Sequence, residues 1–289
     1  MKQRDCWAEW LAERRFGGDD KLRVEQLERL GRTRDEVLDN ARLAAGETLL
    51  DVGCGDGLIA FGALERGAGR VVFSDISGDL LDACRELADE LGVLERCRFV
   101  PSAADDLAAI EDASVDVVTT RSVLIYVERK QEAFSEFFRV LRPGGRISLW
   151  EPINRFGANA RVNESFWGYD APGLDDLRDR LNALYAKIQP ETDPMLDFDE
   201  RDLLALAEDA GFGELHLVLR ANVAPIVPRP WSTFVNVSGN PKVPTLAEAM
   251  DRALTADERE RLTEHLRPLI EAGRGTQRLA IASLWAVKR

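Results

Sequence analysis

Residues 49–57 read LLDVGCGDG: an apolar pair, an acid, and then a glycine at every second position, Gly53, Gly55 and Gly57. Glycine accepts positive φ and lets another group come close to the main chain, both of which a side chain hinders. The stretch follows the β-rich run ETLLDV (47–52) and precedes the helical LIAFGALERG, so it reads as a turn from strand to helix. In an open α/β sheet, ligands bind beyond the carboxyl ends of the strands. The bland alternative is a tight turn with no ligand. It loses ground because further features lie where a ligand would need them.

The texture on either side supports such a sheet. RVVFSD (70–75) is a second strand, and ISGDLLDACRELADELG is a helix with Ser77 as its N-cap and Gly92 as its stop. RFV (98–100), VDVVTT (115–120) and RISLWE (146–151) supply three more strands, with a helix over 129–141 that ends at the turn-forming RPGGR. Strands alternating with helices imply parallel pairing and an α/β sheet with helices on both faces. The chain is accordingly divided as follows. Residues 1–44 form a helical segment with apolar Leu22, Leu27, Leu30, Val37 and Leu38, interrupted at FGGDD. A core spans 45–151 and an insertion rich in turn formers and aromatics spans 152–198. The core resumes over 199–223 with a helix (199–210) and a strand (214–223). A second insertion spans 224–276, opening with five prolines between Pro225 and Pro244, and 277–289 closes the chain with a last strand. The two insertions are expected to fold over the sheet as a cap.

Composition narrows the partners. The chain has 289 residues, 45% hydrophobic and 31% charged, enough for a packed core. A formal net charge of −13 counts against nucleic acid, whose binding is driven by Lys and Arg. No apolar run has the length of a membrane span, and the charged N-terminus has no signal-peptide core, so a cytoplasmic location is expected. Cys6, Cys54, Cys84 and Cys97 are scattered and only His216 and His265 accompany them, so no metal site is expected and the thiols are read as reduced.

Asp75 ends the second strand, 24 residues after Asp51. A carboxylate there can accept hydrogen bonds from both ribose hydroxyls of a nucleotide-like ligand. A dinucleotide and S-adenosylmethionine both fit that layout. Dinucleotide turns usually read G-x-G-x-x-G and bring a pyrophosphate to a helix N-terminus. Here the spacing is G-x-G-x-G, with an acid two residues before the first glycine. An acid repels a pyrophosphate and suits a ligand carrying an ammonium and a sulfonium, which points to S-adenosylmethionine.

Together LLDVGCGDG, VVFSDIS, VDVVTTRSVLIYV and FRVLRPGGRISLWEP resemble the class I S-adenosylmethionine-dependent methyltransferases, over roughly residues 45–151. The resemblance implies a Rossmann-like seven-stranded sheet, mostly parallel and ending in a reversed hairpin, which 214–223 and 277–288 would supply. It implies that Asp51, Gly53, Cys54, Gly55 and Gly57 line the methionine and ribose part of the cofactor, Cys54 by packing. Asp75 would hold the ribose hydroxyls and Ile76 would pack on the adenine. The family often shows GDAEDL after the third strand, where this chain has PSAADDL. The adenine contact therefore falls to Ser102, Ala103, the backbone at Ala104, or Asp105. Thr120 and Arg121 would face the methionine and the substrate entrance.

Methyl transfer needs alignment and desolvation, and a general base only when the acceptor loses a proton. Many relatives carry a histidine where this chain has Leu124–Ile125–Tyr126, so that base is missing. The catalytic residue is unknown, with Arg121, Tyr126, Glu151, Asn154, Trp167 and Tyr169 as substrate-side candidates. Phe166, Trp231 and Phe234 could wall a pocket or merely fill the cap's interior; His216 and His265 read as structural or solvated. Arsenite chemistry would need converging cysteines and is disfavoured. The expected function is methyl transfer to a small-molecule acceptor. The alternatives are a member of the fold that binds the cofactor without methylating, and a nicotinamide-dependent oxidoreductase.

Overall fold

The computed structural model describes residues 4–15, 20–158 and 165–289, without the side chains of 20–29 and 158. Residues 16–19 of the FGGDD break and the side chains of Leu22 and Leu27 lie outside the described residues. In chain order the elements are α1 (Cys6–Glu9), continued by a wider π-helical turn (Trp10–Arg14), α2 (Asp20–Asn40), β1 (Thr48–Val52), α3 (Leu58–Glu65), β2 (Arg70–Asp75) and α4 (Gly78–Glu90). Then come β3 (Cys97–Pro101), β4 (Val115–Arg121), α5 (Lys130–Val140), β5 (Leu141–Pro152) and α6 (Asn154–Ala158). The first insertion carries the hairpin β6 (Ser165–Phe166) and β7 (Tyr169–Asp170), then α7 (Asp175–Ile188). α8 (Glu200–Asp209) and β8 (Gly213–Pro225) return to the sheet; α9 (Trp231–Asn236), α10 (Leu246–Ala253) and α11 (Ala256–Glu271) follow, and β9 (Thr276–Val287) closes it.

The seven strands order as β3-β2-β1-β4-β5-β9-β8. The five on the β3 side run parallel, and β9 and β8 pair antiparallel as the expected reversed hairpin. Strand order reverses between β1 and β4, which opens a crevice at their carboxyl ends. Because successive strand residues face opposite sides, Leu49, Val71, Phe73 and Val117 pack under α2, α3 and α4. Leu50, Val118, Ile147, Leu149 and Leu284 pack on the other face with Phe134, Phe137, Leu203 and Ala207 of α5 and α8. The RPGGR stretch is less regular than a simple turn. Val115 pairs with Leu141 and Val117 already with Arg146, so the intervening residues bulge out of β5.

The two insertions share a hydrophobic cluster of their own. Phe166, Tyr169, Leu177, Leu181 and Tyr185 of the first pack with Leu246, Met250, Leu262, Leu266 and Ile270 of the second. Phe166 and Tyr169 are buried there, and Tyr169 lines neither of the two cavities described below.

One carboxylate ties the sheet to the loop that follows β4. Glu151, fully buried near the end of β5, accepts hydrogen bonds from the Thr120 hydroxyl (2.9 Å) and the amides of Val123 (3.1 Å) and Leu124 (3.1 Å). It faces this loop and lies outside the lining of the two cavities described below. Burial pushes its pKa up to about 7 against the pull of those donors. A raised carboxyl pKa favours the folded state below the ordinary value of 4.5, and that advantage is lost as pH rises through about 7. Glu151→Ala leaves three buried donors unpaired and is expected to lower unfolding free energy by roughly 2–4 kcal/mol. Urea denaturation at several pH values checks this, since the variant should also lose part of the decline in stability between those two pKa values.

Candidate functional site

The glycines of the opening stretch are all left-handed, with φ of 64° at Gly53, 55° at Gly55 and 79° at Gly57. Their surroundings differ. A Cβ on Gly53 would sit 2.5 Å from Val123 Cγ2, so the turn packs directly against the loop that Glu151 holds. A Cβ on Gly55 would meet nothing within 4 Å, because this residue faces open space. The space is a cleft of about 680 Å³ over the crevice between β1 and β4.

Asp75 orders the near side of this cleft. One carboxylate oxygen accepts from the Gly55 amide (2.9 Å) and the other from the Ser77 amide (2.9 Å), so the end of β2 clamps the glycine turn to the start of α4. Ser77 caps α4 as expected, accepting from the Leu80 amide. Burial raises the Asp75 pKa, and the two amides oppose that shift. Beside it Ile76 is 56% exposed, an apolar side chain turned toward the cleft.

Of the other expected cofactor residues, Gly53, Gly55, Ser102, Ala103, Ala104 and Arg121 line the cleft, as does Asp105. The Ser102 hydroxyl is already engaged with that of Ser74 (2.7 Å), and Asp105 is paired with Arg129 (2.9 Å). Asp51, Cys54, Gly57 and Thr120 lie behind the wall. Asp51 is buried, accepts from the Thr119 hydroxyl (2.9 Å) and the Ala60 amide (3.1 Å), and has its pKa pushed up to about 7 by burial. The Cys54 thiol lies against Cys84 in a buried setting that holds its pKa well above the usual thiol value, which suits packing and not nucleophilic attack.

Among the substrate-side candidates, Tyr126 and Asn154 reach the cleft, and Trp167 lines an adjoining cavity. The Tyr126 hydroxyl donates to the Gly239 carbonyl (3.2 Å), and burial pushes its pKa up to about 12. That makes it a strut between the core and the second insertion. His216 stacks on Trp285 (5.2 Å) and His265 contacts the Asp170 carbonyl (2.9 Å); neither lines the cleft. Trp231 and Phe234 stack within the cap. Among the described residues no group of three His, Cys, Asp or Glu is placed to hold a metal.

Sequence reasoning missed the roof. Trp7, Trp10, Leu11 and Arg15 line the cleft from the N-terminal helix. Asp5 caps that helix through the Trp7 and Ala8 amides and also accepts from the Ser77 hydroxyl (2.6 Å), fixing the helix beside Asp75. Trp7 meets Tyr126 edge-on at 5.0 Å, and the Trp10 indole donates to the Ser238 carbonyl (3.0 Å). The signal available was WAEW, two tryptophans three apart on one helical face. Arg15 sits close enough to Arg121 that the two cations repel, and this adds to burial in lowering the Arg15 pKa.

Comparison with known proteins agrees with this geometry. The family described as "Methyltransferase domain" matches residues 50–149. The tRNA 5-carboxymethoxyuridine methyltransferase of Escherichia coli K12 is 34% identical over 101 residues, 35% of this chain and 38% of that protein; this chain thus spans well under half the length of that relative. The ubiquinone/menaquinone biosynthesis C-methyltransferase UbiE of Salmonella paratyphi B is 32% identical over 181 residues, 61% of this chain and 70% of that protein. Among solved structures, the YcgJ protein of Bacillus subtilis superposes with a TM-score of 0.55 at 18% identity, covering 89% of this chain and 98% of that one, a likeness of fold. No helix among the described residues is long and apolar enough to cross a membrane. The relative matched over more than two thirds of its length carries the conclusion and the sheet order agrees with it: the chain belongs to the class I S-adenosylmethionine-dependent methyltransferases.

Proposed function

We propose that the cleft binds S-adenosylmethionine and that the protein transfers its methyl group to a small molecule. The observation that carries this reading is Asp75, at the end of β2, lining a cleft of about 680 Å³ while clamping a glycine turn that is open at Gly55. The residues present fit the cofactor. Asp75 keeps acceptor capacity toward the cleft for ribose hydroxyls, and the exposed Ile76 offers an apolar face to an adenine. Arg15 and Arg121 give a cationic end suited to a carboxylate, and Asp56 lines the same cleft and attracts Arg15. When bound, the cofactor supplies a sulfonium methyl whose departure leaves a neutral thioether. The chain's own part is to bind, to align and to exclude water.

The roof supports the small acceptor. The Trp10 bond to Ser238, the Tyr126 bond to Gly239 and the Trp7–Tyr126 contact join the first helix, the core and the second insertion over the cleft. These contacts support an acceptor small enough to be enclosed beneath them. The net charge of −13 argues the same way. One relative, UbiE, is named as a C-methyltransferase of quinone biosynthesis, and the other acts on tRNA; enclosure and charge favour the small-molecule side for this chain.

Calorimetry should find micromolar binding of S-adenosylmethionine and S-adenosylhomocysteine, and none of NADH; the reverse pattern would overturn the proposal. Transfer of labelled methyl into a small-molecule extract then separates an active enzyme from a binder that does not methylate. Asp75→Ala is expected to weaken S-adenosylmethionine binding by about 1.5–3 kcal/mol through loss of charge-assisted hydrogen bonds. Unchanged affinity would mean the ribose lies elsewhere.

Affinity should also depend on pH through Asp51. Its pKa stands at about 7, and its carboxylate is close enough to feel the charges of Arg121 and Asp75. A cationic ligand in the cleft favours the ionised form, so binding releases a proton below that pKa. S-adenosylmethionine affinity should therefore rise as pH climbs through about 7 and level off above it. Titrations of wild type and Asp51→Asn over that range test this, and the variant's profile should be flatter.

A further inference from the structure

A second cavity, of about 410 Å³, shares Pro152, Asn154, Met195, Ser238 and Gly239 with the cleft, so the two adjoin. It lies between the end of β5, the β6–β7 hairpin, α7 and the first half of β9. Three features mark it as a built site.

The first is the tip of the hairpin. Trp167 and Gly168 form a two-residue turn with φ of 50° and 87°. Turns of this hand favour Asn-Gly or Gly-Gly; a bulky aromatic at φ near +50° is strained. Packing holds it there. The indole stacks on Phe166 (5.0 Å, 17°) and leans on Tyr185 (5.4 Å) and Phe234 (5.8 Å). The Gly168 carbonyl accepts from the Thr276 amide (2.8 Å), and a Cβ on Gly168 would collide with the Thr276 carbonyl, so the tip is fixed to β9. These contacts hold the strained turn and fix an aromatic ring in the cavity wall.

The second feature is Asn154, whose Nδ2 is buried without a hydrogen-bond partner where the two cavities meet. Buried donors are rarely left unpaired, and each exception calls for an explanation. The third is charge. Among the described residues the one cation lining this cavity is Arg278, which is exposed, and no carboxylate lines it.

We propose that this chamber is the acceptor site, and that the acceptor is an uncharged, planar molecule that lies against Trp167 and presents a carbonyl or hydroxyl oxygen to Asn154 Nδ2. The assignment rests on the methyl-transfer reading above, because the chamber serves an acceptor only if the adjoining cleft holds the methyl donor. Trp167 and Asn154 are then specificity-determining residues.

The test uses protein saturated with S-adenosylhomocysteine and four naphthalene probes, followed by calorimetry. Two are uncharged, 2-naphthol and 2-acetylnaphthalene; 2-naphthoate is anionic and 2-naphthylmethylammonium cationic. The uncharged pair should bind at least about tenfold tighter than the charged pair. Asn154→Ala should weaken the uncharged probes about tenfold. Trp167→Asn gives the turn the residue it favours, which offsets part of the lost packing, so the hairpin should be kept while probe affinity falls by a similar factor. Binding of S-adenosylhomocysteine should survive Trp167→Asn. The proposal is overturned if no probe binds, if a charged probe binds as tightly as its uncharged counterparts, or if Trp167→Asn leaves probe affinity intact. Failure of S-adenosylhomocysteine to bind wild-type protein would instead strike the methyl-transfer reading itself.

Discussion

The cleft depends on a carboxylate that never reaches it. Glu151 gathers the Thr120 hydroxyl and two amides of the loop after β4, and that loop presents Val123 to Gly53 and carries Tyr126 to the roof. If Glu151 lets go, the glycine turn loses the surface it packs on and the roof loses its strut. A buried acid held by three donors is an expensive way to fix a loop, since desolvation works against the charge. Its return is rigidity where ligand-facing groups must be placed before the ligand arrives.

Asp75 works on the same principle from the other side of the crevice, with one difference. It spends part of each oxygen on the protein's own amides and still lines the cleft. The two acids divide the labour between framing the site and facing it. Asp51 belongs with Glu151, behind the wall and bonded to Thr119 and Ala60.

The fold was readable because its signals are local. Alternating runs such as RVVFSD and VDVVTT became β2 and β4, and Ser77 became the cap of α4, since neighbouring residues determine each of these features. The glycine turn was legible for the same reason. The hold of Glu151 on the loop was not legible, because an acid near a strand's end looks alike whether its carboxylate turns to a ligand or to a backbone amide 28 positions away. Trp7 and Trp10 were passed over because their partners, Tyr126 and Ser238, are remote in sequence. The adjoining chamber was invisible on similar grounds, since its walls come from β5, two insertions and β9. Its strained Trp167 obeys packing against the run of turn preference.

The roof has a consequence for how the molecule comes into being. The indole of Trp10 binds a carbonyl 228 residues further along the chain, and Arg14 pairs with Glu248. Synthesis runs from N to C, so this helix leaves the ribosome before Ser238 and Glu248 exist. Asp5 can meet Ser77 and Trp7 can meet Tyr126 early, but the Trp10 and Arg14 bonds must wait until all strands but β9 and the first part of the second insertion are synthesised. The roof therefore closes in two stages, and its seam with the second insertion forms only after the strands up to β8 have been made.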